Sequence, residues 1–331
     1  MHKTKTNSFF SKHYLCDKHN RVNTYLRISL TPYCNFNCLY CKPLKYRPYR
    51  NHNMNIKDVL TLCRWMISLG VEKIRFTGGE PLLFPNIVNV LEFSVSQGVE
   101  TAITTNGFFL YKYINDIMRL RIKVNISLDT LDRKKFKKIS GVNGFDRVWE
   151  SINRFMDQDY PLKLNVVVMK GINDDEIINF VNLTRDWKIH VRFIEFMPFN
   201  GNRWGWNYCM KGSEILDIIR KHFPIEKLND EPHSVARSYR VSGFAGTFAV
   251  ITSVSEPFCH TCNRLRISST GKLLYCLFDD VGIDLLPFIR TNDFERFKRT
   301  VGAYVRRKPL MRAGKELNPE ITSFAMTELG G

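Results

Sequence analysis

The sequence contains no run approaching the roughly 20 apolar residues of a membrane span, no internal repeat beyond a strand–helix period, and no low-complexity segment. A spanning helix, a repeat array and a biased linker are therefore not expected. Acids are also short: 32 Asp and Glu face 49 Lys and Arg, a net charge of +17. The basic residues are dispersed, the aromatics sit in apolar patterns, and no RNA-binding motif is present, so a solvated basic surface is expected and a nucleic-acid partner is not. A strongly anionic small substrate, such as a nucleoside triphosphate, accounts for a few arginines but not for the whole excess. The first fifteen residues carry Lys3, Lys5 and Lys12 but no acid, no arginine and no apolar core. This is poor material for a targeting peptide, and residues 1–20 are expected to form a flexible arm of a cytoplasmic protein.

What is present is a 331-residue chain, 44% hydrophobic and 24% charged, long enough for one large α/β domain with an extension. Nine cysteines exceed what packing requires, and six fall in two triplets: Cys34, Cys38 and Cys41, then Cys259, Cys262 and Cys276. A secreted disulfide framework spreads its cysteines in even number, whereas tight clustering points to metal. Neither triplet has a fourth cysteine or a well-placed histidine nearby. His260 lies between two ligands, and His233 is distant in sequence. Three thiolates can hold three irons of a cubane and leave one open, whereas structural zinc takes four protein ligands. Zinc completed by a distant residue remains the alternative for both. Cys63 falls in an amphipathic run and is expected in the core.

Short β-branched or aromatic runs at 25–30, 73–76, 100–104, 123–128, 164–168 and 191–196 alternate with amphipathic runs at 56–69, 87–97, 145–156 and 174–186. Six strand–helix units imply a parallel sheet, and six units instead of eight imply an incomplete barrel. The special motifs follow strand ends, where βα loops converge on one mouth. They are the first cysteine loop, Thr77-Gly78-Gly79-Glu80-Pro81, Thr104-Thr105-Asn106-Gly107, Ser127-Leu128-Asp129 and Met197-Pro198. After about residue 225 the pattern changes to a hairpin over 238–251, the second triplet, and a basic helix over 292–307. The expected organisation is an arm (1–20), a partial barrel (21–225) and a C-terminal region (226–331).

The spacing C-x3-C-x2-C after the first strand is the signature of radical S-adenosylmethionine (SAM) enzymes. With residues 25–41, the Gly-Gly-Glu-Pro segment and the second triplet, the chain resembles the molybdenum cofactor biosynthesis protein A family, the GTP 3',8-cyclases, from about Leu15 to Gly331. The resemblance implies an incomplete (β/α)6 TIM-like barrel with a C-terminal α+β extension carrying a second cluster. It implies two 4Fe-4S clusters, SAM as cofactor, and conversion of GTP to 3',8-cyclo-7,8-dihydro-GTP as the first step of molybdenum cofactor synthesis. A reducing electron donor, a downstream cyclic pyranopterin monophosphate synthase and a homodimer are implied as partners.

Residue by residue, the resemblance assigns SAM contacts to Tyr40, Gly78, Gly79, Glu80, Ser127 and Met197. It assigns GTP contacts to Arg27, Lys73, Arg75, Thr104, Lys163, Arg192, Arg264, Leu265 and Arg266. By the same resemblance Arg264 and Arg266 are a triphosphate clamp, a role that a guanidinium fork suits. The tail Gly330-Gly331 is assigned to the active site, together with Arg264 and Arg266. Pro32-Tyr33, Lys42 and Ala325 depart from the family's usual residues. A peptide-modifying radical SAM maturase and a non-enzymatic zinc or RNA-binding protein are the competing readings.

Overall fold

A computed structural model describes residues 14–41, 53–199, 202, 204–279, 281–311 and 326–330. Lys42, Ala325 and Gly331 lie outside the described residues. The six expected strands form within two residues of their sequence runs: β1 (Tyr25–Ser29), β2 (Lys73–Thr77), β3 (Glu100–Thr105), β4 (Lys123–Ser127), β5 (Leu162–Val168) and β6 (His190–Glu195). Between and after them lie α1 (Ile56–Ser68), α2 (Ile87–Ser96), α3 (Ile114–Arg119), α4 (Arg133–Ser140), α5 (Phe145–Asp157), α6 (Ile177–Asn182) and α7 (Gly212–Arg220). Local chemistry fixes several ends. Asn55 and Asp58 form a reciprocal capping box on α1, Asp132 caps α4, and Gly141 ends α4 in the left-handed region.

The six strands pair in sequence order, all parallel. Two later strands continue the parallel run at its edges. β9 (Thr247–Ile251) pairs with β6 and β10 (Arg264–Ile267) pairs with β1. β7 (Ile225–Lys227) and β8 (Arg237–Val241) extend one edge antiparallel, β11 (Lys272–Leu274) and β12 (Ile283–Asp284) the other. Residues beyond 225 therefore complete both flanks of one twelve-stranded sheet. α8 (Leu286–Arg290), α9 (Phe294–Arg306) and a last turn of helix, α10 (Met326–Leu329), follow.

Strand alternation divides the sheet into two unlike faces. Leu26, Ile28, Ile74, Phe76, Ile103, Val124, Ile126, Leu164, Val191, Phe193, Phe248, Leu265 and Ile267 share one core with Val59, Leu62, Cys63 and Met66 of α1 and Val148, Ile152 and Phe155 of α5. Cys63 is thus a core residue, as expected. Truncating a buried ring such as Phe193 to alanine would cost about 3–5 kcal/mol. The opposite face carries the polar residues of the same strands.

The expected arm is wrong at its C-terminal end. Leu15, Cys16 and Asp17 are buried, Cys16 bridges to Val22, and the Asp17 carboxylate holds Arg21 at 2.7 Å. A buried ion pair beside apolar side chains anchors this segment against the body. No helix among the described residues is long and apolar enough to cross a membrane.

Candidate active site

The first cysteine loop leaves β1 and is strapped to the end of α4. Asn37 N–H donates to the Ser140 carbonyl at 2.8 Å and Leu39 N–H to that of Ile139 at 3.0 Å. Phe36 anchors it from below, edge-on to Phe108 and Phe136. The loop after β2 lies against the backbone just before Cys34, with Gly79 N–H bonded to the Thr31 carbonyl at 2.6 Å and Glu80 N–H to that of Tyr33 at 2.8 Å. Any Cβ at Gly79 would collide with the Tyr33 carbonyl. Glycine is needed here for a backbone-to-backbone approach.

Glu80, expected at the SAM site, has a bracing role as well. It is fully buried, and its carboxylate accepts from Thr105 Oγ1 at 2.7 Å, Asn106 N–H at 2.8 Å and Leu82 N–H at 3.1 Å. Burial pushes its carboxyl up to about 7, against the pull of those donors. It braces the β2 and β3 loops and offers no exposed acceptor. Asn106, so held, extends its amide toward Cys34 Sγ at 3.7 Å. A small cavity beside the loop is lined by Cys38, Tyr40, Asn106, Ser127, Asp129 and Ser140. In it the Tyr40 hydroxyl donates to Asp129 at 2.6 Å. Burial raises the Asp129 carboxyl to about 6, opposed by Tyr40 and by the Val167 N–H.

The polar face of the sheet runs from this loop to the second triplet. Register puts Arg266, Arg27 and Arg75 side by side on β10, β1 and β2, Thr104 beside Lys163 across Asn125, and Arg192 next to Asn165. Every GTP contact expected from sequence shares this face except Leu265. Its side chain points the other way, into the core, because neighbours along a strand alternate. Arg75 donates through Nε to the Tyr25 hydroxyl at 2.6 Å and through Nη1 to Thr104 Oγ1 at 3.2 Å. Lys73 is paired with Glu100 at 2.5 Å. Crowding marks the charge of this face. Burial, then repulsion from Arg192 and Arg75, brings Lys163 down to about 8. Burial works to raise Tyr25, but Arg75, Arg27 and Lys73 outweigh it and bring the phenol down to about 7.

The second triplet sits at the opposite end of β1 and β10, since Cys259 and Cys262 precede β10 and Cys276 follows β11. Its cavity is shared by Arg264, Arg266, Met197, Phe278 and Lys308. Lys308, nearly buried, donates to Asn23 Oδ1 at 2.6 Å, the Arg264 carbonyl at 2.8 Å and the Cys262 carbonyl at 3.1 Å, and stands 3.7 Å from Cys262 Sγ. Arg21 reaches the Cys259 carbonyl at 2.6 Å. Neither Lys308 nor Arg21 is expected from sequence, because each reaches the triplet only through tertiary folding. His233, far away in sequence, bonds through Nδ1 to the Thr261 carbonyl at 2.8 Å.

None of the nine cysteines is in a disulfide. Among the described residues no three His, Cys, Asp or Glu groups gather as ligands of one metal ion. The three thiols in each set match the ligand count of a cubane with one open iron. Residues 326–330 reach the polar face between the two sets. Arg266 Nη1 donates to the Gly330 carbonyl at 2.6 Å, Leu329 is buried, and Gly330 (φ 68°) packs against Thr77 and Gly78.

The Radical SAM superfamily pattern matches residues 28–184 and the Molybdenum Cofactor Synthesis C pattern residues 189–313. The GTP 3',8-cyclase of Geobacter sulfurreducens is 37% identical over 329 residues, 96% of this chain and 99% of that one. This chain belongs to the GTP 3',8-cyclase family. The mitochondrial GTP 3',8-cyclase of Arabidopsis thaliana is 40% identical, over 96% of this chain and 83% of that protein. Molybdenum cofactor biosynthesis protein 1 of Bos taurus is 41% identical over 91% of this chain, which spans about half (49%) of that longer protein. Streptococcus suis SuiB bound to S-adenosylmethionine shares the fold, with a TM-score of 0.59 at 18% identity over 94% of this chain and 79% of its own.

Within this cyclase-family frame the expected site residues divide by position. Tyr40, Ser127 and the two glycines lie near the first triplet. Met197 lines the cavity of the second triplet, its carbonyl accepting from Asn202 Nδ2 at 2.9 Å.

Proposed function

We propose that this chain is a radical SAM GTP 3',8-cyclase that converts GTP to 3',8-cyclo-7,8-dihydro-GTP, the first step of molybdenum cofactor synthesis. The observation that carries the reading is the row of arginines, Arg266, Arg27 and Arg75, on a buried face that runs between two three-thiol sets. The relatives named GTP 3',8-cyclase support it independently. The six parallel strands in sequence order further suit an incomplete (β/α)6 barrel, with the C-terminal region holding the second cluster.

In this reading Cys34, Cys38 and Cys41 hold one 4Fe-4S cluster, with Tyr40, Gly78, Gly79, Ser127 and the Met197 backbone around SAM. Cys259, Cys262 and Cys276 hold the other. Bound there, SAM and the first cluster supply radical chemistry at the ribose 3' carbon, and the second cluster supplies an open iron for the guanine. The protein's own share is placement. Arg27, Lys73, Arg75, Lys163, Arg192, Arg264 and Arg266 neutralise the triphosphate. Thr104 fixes Arg75, the Gly330 carbonyl accepts from Arg266, and the Gly330-Gly331 tail is part of the active site. Glu80 and Asp129 keep the first loop in shape. A one-electron donor, a cyclic pyranopterin monophosphate synthase as consumer of the product, a homodimer and a cytoplasmic location complete the reading.

The test is an anaerobic assay of reconstituted protein with SAM, dithionite and GTP. About eight irons per chain and GTP-dependent formation of 5'-deoxyadenosine and cyclised nucleotide are expected. SAM cleavage indifferent to GTP would remove the substrate, and a zinc-loaded, iron-free protein would remove the whole reading.

A further inference from the structure

Three buried polar atoms on the cationic face lie on neighbouring strands without a hydrogen-bond partner among the described residues: Oδ1 of Asn125 on β4, Oδ1 of Asn165 on β5 and Nε of Arg192 on β6. Register orders them. Asn125 lies between Thr104 and Lys163, and Asn165 between Ser127 and Arg192. The chain neighbours of both amides, Val124, Ile126, Leu164 and Val166, are buried in the helix-side core, so both amides belong to the polar face.

A buried acceptor left unbonded costs about 1–3 kcal/mol, and native folds tolerate few of them. Here acceptor and donor orphans are register neighbours, Asn165 Oδ1 and Arg192 Nε, yet they do not satisfy one another. Groups kept apart at that cost are groups kept for a ligand. Arg192 and Lys163 call for an anion, whereas an amide oxygen calls for an O–H or N–H donor. A ribonucleotide carries both in one molecule, its hydroxyls a short distance from its phosphates. The place also fits, because Asn165 separates Ser127, on the SAM side, from Arg192, on the nucleotide side.

We propose that Asn125 and Asn165 accept hydrogen bonds from the ribose hydroxyls of the nucleotide, setting which ribose carbon faces the first cysteine loop and disfavouring a nucleotide that lacks a hydroxyl they hold. The proposal rests on the GTP 3',8-cyclase reading. It adds two specificity-determining residues whose signal in the sequence is faint, since each is a single asparagine between two apolar neighbours in its strand.

The experiment is anaerobic equilibrium binding of GTP, 2'-deoxy-GTP, 3'-deoxy-GTP and inosine triphosphate to the reconstituted protein without SAM. The wild type is compared with Asn165→Ala and Asn125→Ala. The wild type is expected to bind at least one deoxy analogue about tenfold or more weakly than GTP. Each variant is expected to lose that preference while treating inosine triphosphate as the wild type does. With SAM and dithionite added, the variants are expected to release more 5'-deoxyadenosine per cyclised product, as a misplaced ribose would cause. Variants that keep the full preference against deoxy analogues overturn the proposal. So does a wild type that binds both deoxy analogues as tightly as GTP, a result that needs no variant to fold. A change confined to inosine triphosphate would place the amides at the base and overturn it as well. A wild type that binds no GTP removes the cyclase reading and this inference together, a result distinct from all of these.

Discussion

The two cysteine triplets have the same ligand count and opposite surroundings. Around the first lie neutral and acidic groups: Tyr40 bonded to Asp129, the buried Glu80, Asn106 and Ser127. Around the second, cations outnumber acids: Lys308 at 3.7 Å from Cys262 Sγ, Arg21 on the Cys259 carbonyl, and Arg264 and Arg266 in the shared cavity, against Asp17, paired with Arg21, and Asp279 near Cys276. Two clusters with identical thiolate sets therefore suit ligands of opposite charge. In the proposed reading a sulfonium cofactor lies beside the first and an anionic nucleotide beside the second, because charges a few ångströms apart in a partly buried site interact by several kcal/mol. The polar sheet face spans the interval, and its cations belong with the nucleotide.

The largest expected effect breaks this comparison at its ends. Cys38→Ser should abolish SAM cleavage and cyclisation alike, while Cys262→Ser should retain GTP-independent SAM cleavage and lose cyclisation. Each should drop the iron content from about eight to about four per chain. Iron counting and separate assays of 5'-deoxyadenosine and cyclised product check both halves, and equal losses in the two variants would erase the distinction.

A second effect, smaller, separates the arginines. Arg266 is buried and bonded to the Gly330 carbonyl, whereas Arg264 lies over the Phe258 ring at the cavity rim. Removing a buried, hydrogen-bonded charge costs about 2–5 kcal/mol. Arg266→Ala should therefore lower kcat/KM for GTP by about 100-fold or more, and Arg266→Lys should recover little, since an ammonium lacks the planar fork. Arg264→Ala should lose less. Gly330→Ala ranks third. Its positive φ and the collision of a Cβ with Thr77 should displace the tail from Arg266 and lower kcat/KM by about tenfold. SAM cleavage without GTP should fall less than cyclisation, because the collision is with Thr77 and not with the cysteine loop.

Much of this architecture is legible in the sequence. The strands β1 to β6 are readable because each is a short β-branched or aromatic run, and the triplets because thiols crowded within a few residues point to metal. The placement of β9 and β10 is not readable. Nothing local says that strands near residues 250 and 265 should pair in parallel with β6 and β1, so the region after 225 reads as a separate extension. Lys308 and Arg21 escape the sequence for the same reason. Leu265 and Glu80 show a different limit. A motif names a segment, but alternation along β10 turns Leu265 into the core, and burial makes Glu80 a brace.

The smallest effect sharpens the comparison by titrating the cationic face itself. Lys163 is held near 8, against an ordinary lysine value of 10.5, by burial first and by Arg192 and Arg75 next. Between those two values the unfolded chain binds more protons than the folded one, so this residue's contribution to stability rises with pH across that window. Its strained charge is in place below it, where a triphosphate finds it. Bound phosphate favours the ammonium, so GTP binding should take up a proton near pH 8, and KM for GTP should stay flat below about pH 7 and climb above 8. Tyr25 titrates close by, brought to about 7 by Arg75, Arg27 and Lys73 against burial, and its phenolate would add to the climb. His190, also facing Lys163, is pushed down to about 3 by burial and by Arg192, so it stays neutral throughout. Two variants divide the effect. Lys163→Arg should move the rise to higher pH, Tyr25→Phe should lower its steepness, and a profile unchanged in both would mean that the face does not titrate in this range.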